Sequence, residues 1–383
     1  MLPKYIPLLK AMNSESIALA NIDPVHAKKM LPLFEVPRIG PNILEAKRFV
    51  GCPTPTTAYL DEVTNRIAKV WSGRTAMVDA YQWPADATVE SGEHVLPYLF
   101  TRLQALGVDV VPVIGYDRWE NPTYSLAMQG LELPGTPYYC LRLDAQALED
   151  AAEPDFFLEN IEAMLARFEL EPGACSVLID FGDVTGRSVE KMVGDSDAIL
   201  NLLMPLGFRY FASAGCSLPK SIDLAVKKPD TVGKVVRKEM LLWQAARQQY
   251  PDSALVYGDY GIRGPSSNEG IPNPHGNGKI RHTIDKHFLV VRGHSMMLPG
   301  KGEQMWGLAQ KVVASPHYLG ANFSWGDQQI LDCSQKKIKG HHAQWISNDT
   351  SHHLAYALAE VEQFDLSVAV PAPVSVKTSG KIA

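Results

Sequence analysis

One pattern constrains what this chain can fold into: a short apolar run that stops at a charged residue, repeated along most of the sequence. Met30–Arg38, MLPLFEVPR, shows it in full, with Leu31, Leu33 and Phe34 running up to Glu35 and Pro37 ending the run. Such runs are too short for helices and too uniformly apolar for strands with one wet face, so they predict parallel strands buried on both sides. The pattern places strands at Tyr5–Lys10, Met30–Val36, Thr75–Gln82, Val108–Gly115, Tyr138–Leu143, Cys175–Phe181, Phe208–Ala214 and Ala254–Asp259. Apolar residues at helical spacing predict helices over Ser14–Ala20, Ala58–Trp71, Val95–Leu106, Pro154–Phe168, Val189–Leu203 and Val235–Gln248. Strands and helices in this alternation predict a closed (β/α)8 TIM-like barrel. An open doubly wound sheet uses the same elements and stays as the alternative, although no GxGxxG follows the first strand.

The 383 residues outrun a barrel of about 250, so the remainder predicts a C-terminal α+β extension packed on the barrel. The expected division is a barrel over 1–262, the extension over 263–364 and a flexible tail over 365–383. Within the extension, Ser266–Gly278 reads as a long loop, His287–Arg292 as a strand, and Glu303–Ala314 and His352–Val361 as helices; the tail from Ser367 has an extended or disordered composition. Hydrophobic residues at 46% supply a large core, and a net charge of −6 argues against a purely electrostatic nucleic-acid binder. The five cysteines have no CxxC spacing and read as reduced, buried residues. With no signal peptide and no window of about 18 apolar residues, the expectation is a soluble cytoplasmic protein without membrane contact.

In a barrel the residues that terminate the strands converge on one face, and reactive groups belong there. Lys10, Glu35, Asp79, Asp117, Arg142, Asp180 and Asp259 hold those positions. Clustered carboxylates repel one another unless a cation neutralises them, and Lys10, Arg142 or a bound Mg²⁺ or Mn²⁺ meets that need. The candidate catalytic set is therefore Lys10, Glu35, Asp79, Arg142, Asp180 and Asp259. It predicts a mouth for a phosphorylated or nucleic-acid ligand, with a carboxylate as base and a fixed cation on the developing anion, in a metal-dependent hydrolase or phosphodiesterase. The same charges could instead pair with one another and cap the barrel.

A second group, Arg281, Arg292, Trp325, Asp327, His352 and His353, with His294 and Trp345 nearby, is rich in recognition chemistry and is the candidate ligand-binding set. The pairs His341–His342 and His352–His353 invite a zinc reading, but adjacent residues on a helix point about 100° apart and do not face one ion. The metal ligands stay unassigned. Ser217–Lys220, SLPK, is a lone SxxK match. Lys227, Lys228, Lys234, Arg237 and Lys238 read as a solvated helix face.

Taken together, YIPLLKAMNSESIAL, MLPLFEVPRI, the GDYGI strand end, HFLVVRGHS, ANFSWGDQQI and Trp345 followed by DTSHHL resemble the beta family proteins of bacteria and phages, from about Tyr5 to Leu354. The positions carrying the resemblance are Lys10, Glu35, Asp259, Arg292, Gly293, Trp325, Gly326, Asp327, His352 and His353. The Pro/Asn-rich loop and the segment after Phe364 depart from it. The resemblance implies a setting among mobile or phage-defence genes and no settled reaction. It leaves two expectations: an enzyme as above, or a non-enzymatic sensor or partner-binding module of a defence system that uses the barrel as scaffold.

Overall fold

In a computed structural model the described residues are 2–131, 133–135, 138–266, 275–298 and 301–369. Most of the expected Ser266–Gly278 loop and of the tail from Ser367 lies outside them. Among the described residues eleven strands run in chain order: β1 Tyr5–Lys10, β2 Leu33–Glu35, β3 Thr75–Asp79, β4 Asp109–Gly115, β5 Tyr139–Leu143, β6 Cys175–Asp183, β7 Phe211–Cys216, β8 Val232–Val236, β9 Leu255–Asp259, β10 Asn277–Ile284 and β11 His287–Ser295. β1 to β7 and β9 close into a parallel barrel, which removes the open-sheet alternative. The three others form an antiparallel sheet in the order β10-β11-β8. The extension thus recruits β8 from ahead of the last barrel strand.

Strand parity sorts the core into two layers, because successive side chains point to opposite faces. Ile6, Leu8, Leu33, Met77, Val111, Val113, Cys140, Leu178, Ala212 and Val256 fill the barrel interior. Their neighbours Tyr5, Leu9, Phe34, Val78, Ile114, Leu141, Ile179, Phe211 and Tyr257 face outward against the helices. The extension has its own core of Ile280, Val291, Met305, Leu308, Val312, Ile330 and Trp345. All five cysteines are free, and Cys140, Cys175, Cys216 and Cys333 are buried as small apolar fillers.

Two helices and one charged run differ from the sequence expectation. The helix expected at Val235–Gln248 starts at Lys238, because Val232–Val236 is drawn into the antiparallel sheet beside β11. Arg237, at that junction, is fully buried and paired with Glu360, so the basic run is not a uniformly solvated face. The last helix is His342–Ala369, far longer than His352–Val361.

That helix carries Ser347-Asn348-Asp349-Thr350-Ser351-His352-His353, a polar run that is buried throughout. It lies between barrel and extension and meets the helix Trp325–Ser334 at Gly326. A Cβ on Gly326 would stand 2.1 Å from the Asn348 carbonyl oxygen, which belongs to backbone and has nowhere to go. Gly326→Ala is therefore expected to lower the unfolding free energy by about 1–3 kcal/mol in denaturant titrations, through overpacking alone.

Candidate active site at the barrel mouth

The last inward-facing positions of β1, β2, β3, β5 and β6 are Lys10, Glu35, Asp79, Arg142 and Asp180. Lys10, Glu35 and Asp79 stand side by side in register across three strands. Each of the five is at most 6% exposed. Arg142 is the hub. Its Nη1 donates to Asp79 Oδ2 at 2.7 Å and its Nη2 to Glu35 Oε1 at 2.8 Å. Its Nε and Nη2 reach Asp180 Oδ2 at 2.9 and 2.7 Å. The Lys10 ammonium pairs with the other Glu35 oxygen at 2.8 Å and donates to the Pro265 carbonyl at 3.1 Å.

Two groups outside the expected set complete the cluster. Arg118 swings in from the loop after β4 and donates to Asp79 Oδ1 at 2.7 Å, while its other nitrogen holds Asp117 at 2.7 Å. Gly115, the last inward residue of β4, makes room for it: a Cβ there would lie 2.2 Å from Arg118 Nη1. Tyr260, one residue past β9, donates to Asp180 Oδ2 at 2.6 Å and accepts from Arg142 Nη2 at 2.8 Å. Tyr81 covers the hub, with Arg142 4.8 Å from its ring centroid. Lys10, Arg118 and Arg142 offset Glu35, Asp79 and Asp180, so the mouth is close to neutral.

Burial opposes the charge on Arg142, but Tyr260, Asp180, Glu35 and Asp79 outweigh it and hold the guanidinium more firmly protonated than usual. Burial, reinforced by Asp180 and Glu35 against Arg142, lifts the Tyr260 phenol well above its ordinary range, which keeps it a donor. A narrow crevice beside the mouth is lined by Lys10, Glu15, Tyr260, Arg263 and Thr350. Arg118 and Asp117 are the charged groups of the cluster nearest solvent, at 13% and 40% side-chain exposure.

Asp259 is not part of this mouth. It has the parity of Tyr257 and so faces outward, away from the barrel axis. There it accepts from Tyr5 and Tyr257 hydroxyls at 2.6 Å each, from the Gly261 amide at 2.9 Å and from His353 Nε2 at 2.9 Å. The Thr283 hydroxyl lies 2.8 Å from His353 Nδ1, and Arg237 bonds the Tyr257 hydroxyl at 2.9 Å. Burial would raise the Asp259 carboxyl, but His353, Arg237 and Tyr257 outweigh it and hold it well below the usual carboxylate range. This outward carboxylate clasps the last helix to the barrel wall.

The expected ligand-binding set is likewise dispersed. Arg281 donates to Asp349 at 2.9 Å and to the Ile262 carbonyl at 3.1 Å. Arg292 caps the Val226 and Lys227 carbonyls at 2.6 and 2.7 Å. His353 belongs to the Asp259 clasp, and Trp325 opens the helix Trp325–Ser334 half-buried. Asp327 and His352 do meet, at 2.8 Å. The SLPK serine faces Glu239 rather than Lys220.

Fold and site together define an α/β-barrel protein with an ionic mouth at the C-terminal strand ends and an extension clasped to the wall. The chain belongs to the Beta protein family, whose model matches residues 5–359. No curated protein matches the sequence. Among the described residues no helix is long and apolar enough to cross a membrane.

Proposed function

We propose that the barrel mouth receives a phosphorylated ligand of the nucleotide class and that the protein serves a phage-defence system as a sensor of that ligand. The observation that carries this reading is the inward convergence of charged groups from five strands on the face where barrels do their chemistry. A buried ionic cluster is a weak source of stability, which favours a functional reason for keeping it. Arg142, Arg118 and Lys10 offer the forked and point cations that phosphate oxygens select. A ligand enters by competing with Asp180 and Glu35 for Arg142, which is how binding is transmitted to the strands.

Sensing fits better than metal-dependent hydrolysis because Glu35, Asp79 and Asp180 each spend an oxygen on Arg142 instead of surrounding a common point. A Mg²⁺ or Mn²⁺ ion would first have to break those pairs. The defence setting rests on what the sequence resemblance implies. The test is thermal denaturation with a panel of nucleoside mono-, di- and triphosphates in EDTA and in Mg²⁺, with product analysis of the same samples. A saturating ligand is expected to raise Tm by roughly 5 °C in EDTA with no turnover. Mg²⁺-dependent cleavage that disappears in Asp79→Asn would replace the sensor by the hydrolase.

A further inference from the structure

A different part of the molecule carries a site that does not depend on the mouth. His282 on β10, Asp327 in the helix Trp325–Ser334 and His352 in the last helix are fully buried, and one ligand atom from each lies within 4.8 Å of the others. Among the described residues this is the one such grouping of histidine, cysteine and acidic side chains.

The hydrogen bonds fix what His352 offers. Its Nε2 lies 2.8 Å from the Thr283 carbonyl oxygen, which only accepts, so Nε2 carries a proton. In the neutral ring Nδ1 is then a lone pair, and it points at Asp327 Oδ2 2.8 Å away, itself an acceptor already bonded by the Ser324 hydroxyl. Two acceptors at that separation need a cation between them, either a proton or a metal. An imidazole whose far N–H is held by a main-chain carbonyl is the arrangement that orients metal-bound histidine.

The remaining atoms point the same way. Asp327 Oδ1 is buried with no partner, and neither ring nitrogen of His282 makes a hydrogen bond of normal geometry, although the His317 main chain lies beside it. The His282 ring stacks on His352 with centroids 3.7 Å apart. Loading would splay the two stacked rings apart.

We propose that His282, Asp327 and His352 bind one first-row divalent ion of the Zn²⁺ class and that it pins the extension's hairpin to the last helix. Two imidazoles and a carboxylate suit such ions and leave a fourth position open. Hard-ion selection by Mg²⁺ is disfavoured by the nitrogen ligands.

The test is to titrate the untagged, chelator-treated full chain with Zn²⁺ by calorimetry and with Co²⁺ by visible absorption, alongside His282→Phe, which keeps a stacking ring without a ligand atom. The wild type is expected to take about one equivalent, with the intense d–d bands of a four-coordinate Co²⁺ site, and to melt higher when loaded. His282→Phe should lose at least 100-fold in affinity. Asp327→Asn serves as the second variant, in case the first does not fold, with the same loss expected. Absence of stoichiometric binding by the wild type, or binding unchanged in a folded variant, overturns the proposal.

Discussion

Arg142→Ala is expected to lower the unfolding free energy by about 3–5 kcal/mol, the usual consequence of stranding buried charges. Glu35, Asp79 and Asp180 lose their shared cation together, and each is at most 6% exposed. Lys10 still serves Glu35 and Arg118 still serves Asp79, but Asp180 keeps only Tyr260 and the Gly182 amide. Denaturant unfolding of wild type and variant at pH 7 checks it. Arg142→Lys is expected to recover only part of the loss, since an ammonium does not span three carboxylates as the planar fork does.

The second large effect concerns Glu239, buried beside Arg237 and bonded by the Ser217 hydroxyl. Burial lifts its carboxyl from 4.5 to about 7, with Arg237 and Ser217 offsetting part of the rise. The unfolded chain releases this proton first as pH rises, so the folded state binds more protons between the two values. Stability falls across the window from about pH 4.5 to about 7 and is lower by roughly 3 kcal/mol above it. In Glu239→Gln that fall should vanish. Unfolding free energies of both proteins at pH 5 and pH 8 check it: the gap between them should change by roughly 2.5 kcal/mol, while parallel behaviour would mean that Glu239 ionises normally.

The barrel was legible in the sequence because doubly buried strands leave little choice of residue, and their charged ends stand out against the apolar runs. Lys10, Glu35, Asp79, Arg142 and Asp180 could be read together because each ends its strand on the same parity as the interior residues. Asp259 ends its strand too, but Tyr257 and Asp259 alternate with the inward Val256, and counting strand ends without parity assigns it to the wrong face. Arg118 and Tyr260 reach the mouth from loops, where sequence position says little about direction. Their signal was weak: Arg118 sits beside a strand end, and Tyr260 directly follows one.

The extension was harder to read for two physical reasons. The hairpin of β10 and β11 turns through Asp285 and Lys286, and Lys286 takes a positive φ of 51° without glycine to announce it. Of the buried run from Ser347 to His353 only the last two residues fall in the expected helix His352–Val361, yet all of it is helix, with polar groups that face others across an interface: Asp349 meets Arg281, His352 meets Asp327 and His353 meets Asp259. Periodicity sees apolar faces and is blind to a polar one that is buried.

The most direct measurement is isothermal titration in EDTA of the nucleotide ligand selected by thermal shift, into wild type and into Arg118→Gln. Arg118 is the cation of the mouth nearest solvent, and Asp79 keeps its bond to Arg142 when Arg118 is lost, so the variant should fold. If the mouth recognises phosphate, affinity should fall at least tenfold with the fold intact, a loss of about 1.4 kcal/mol or more. Equal affinity in the folded variant would place the ligand elsewhere and contradict the account.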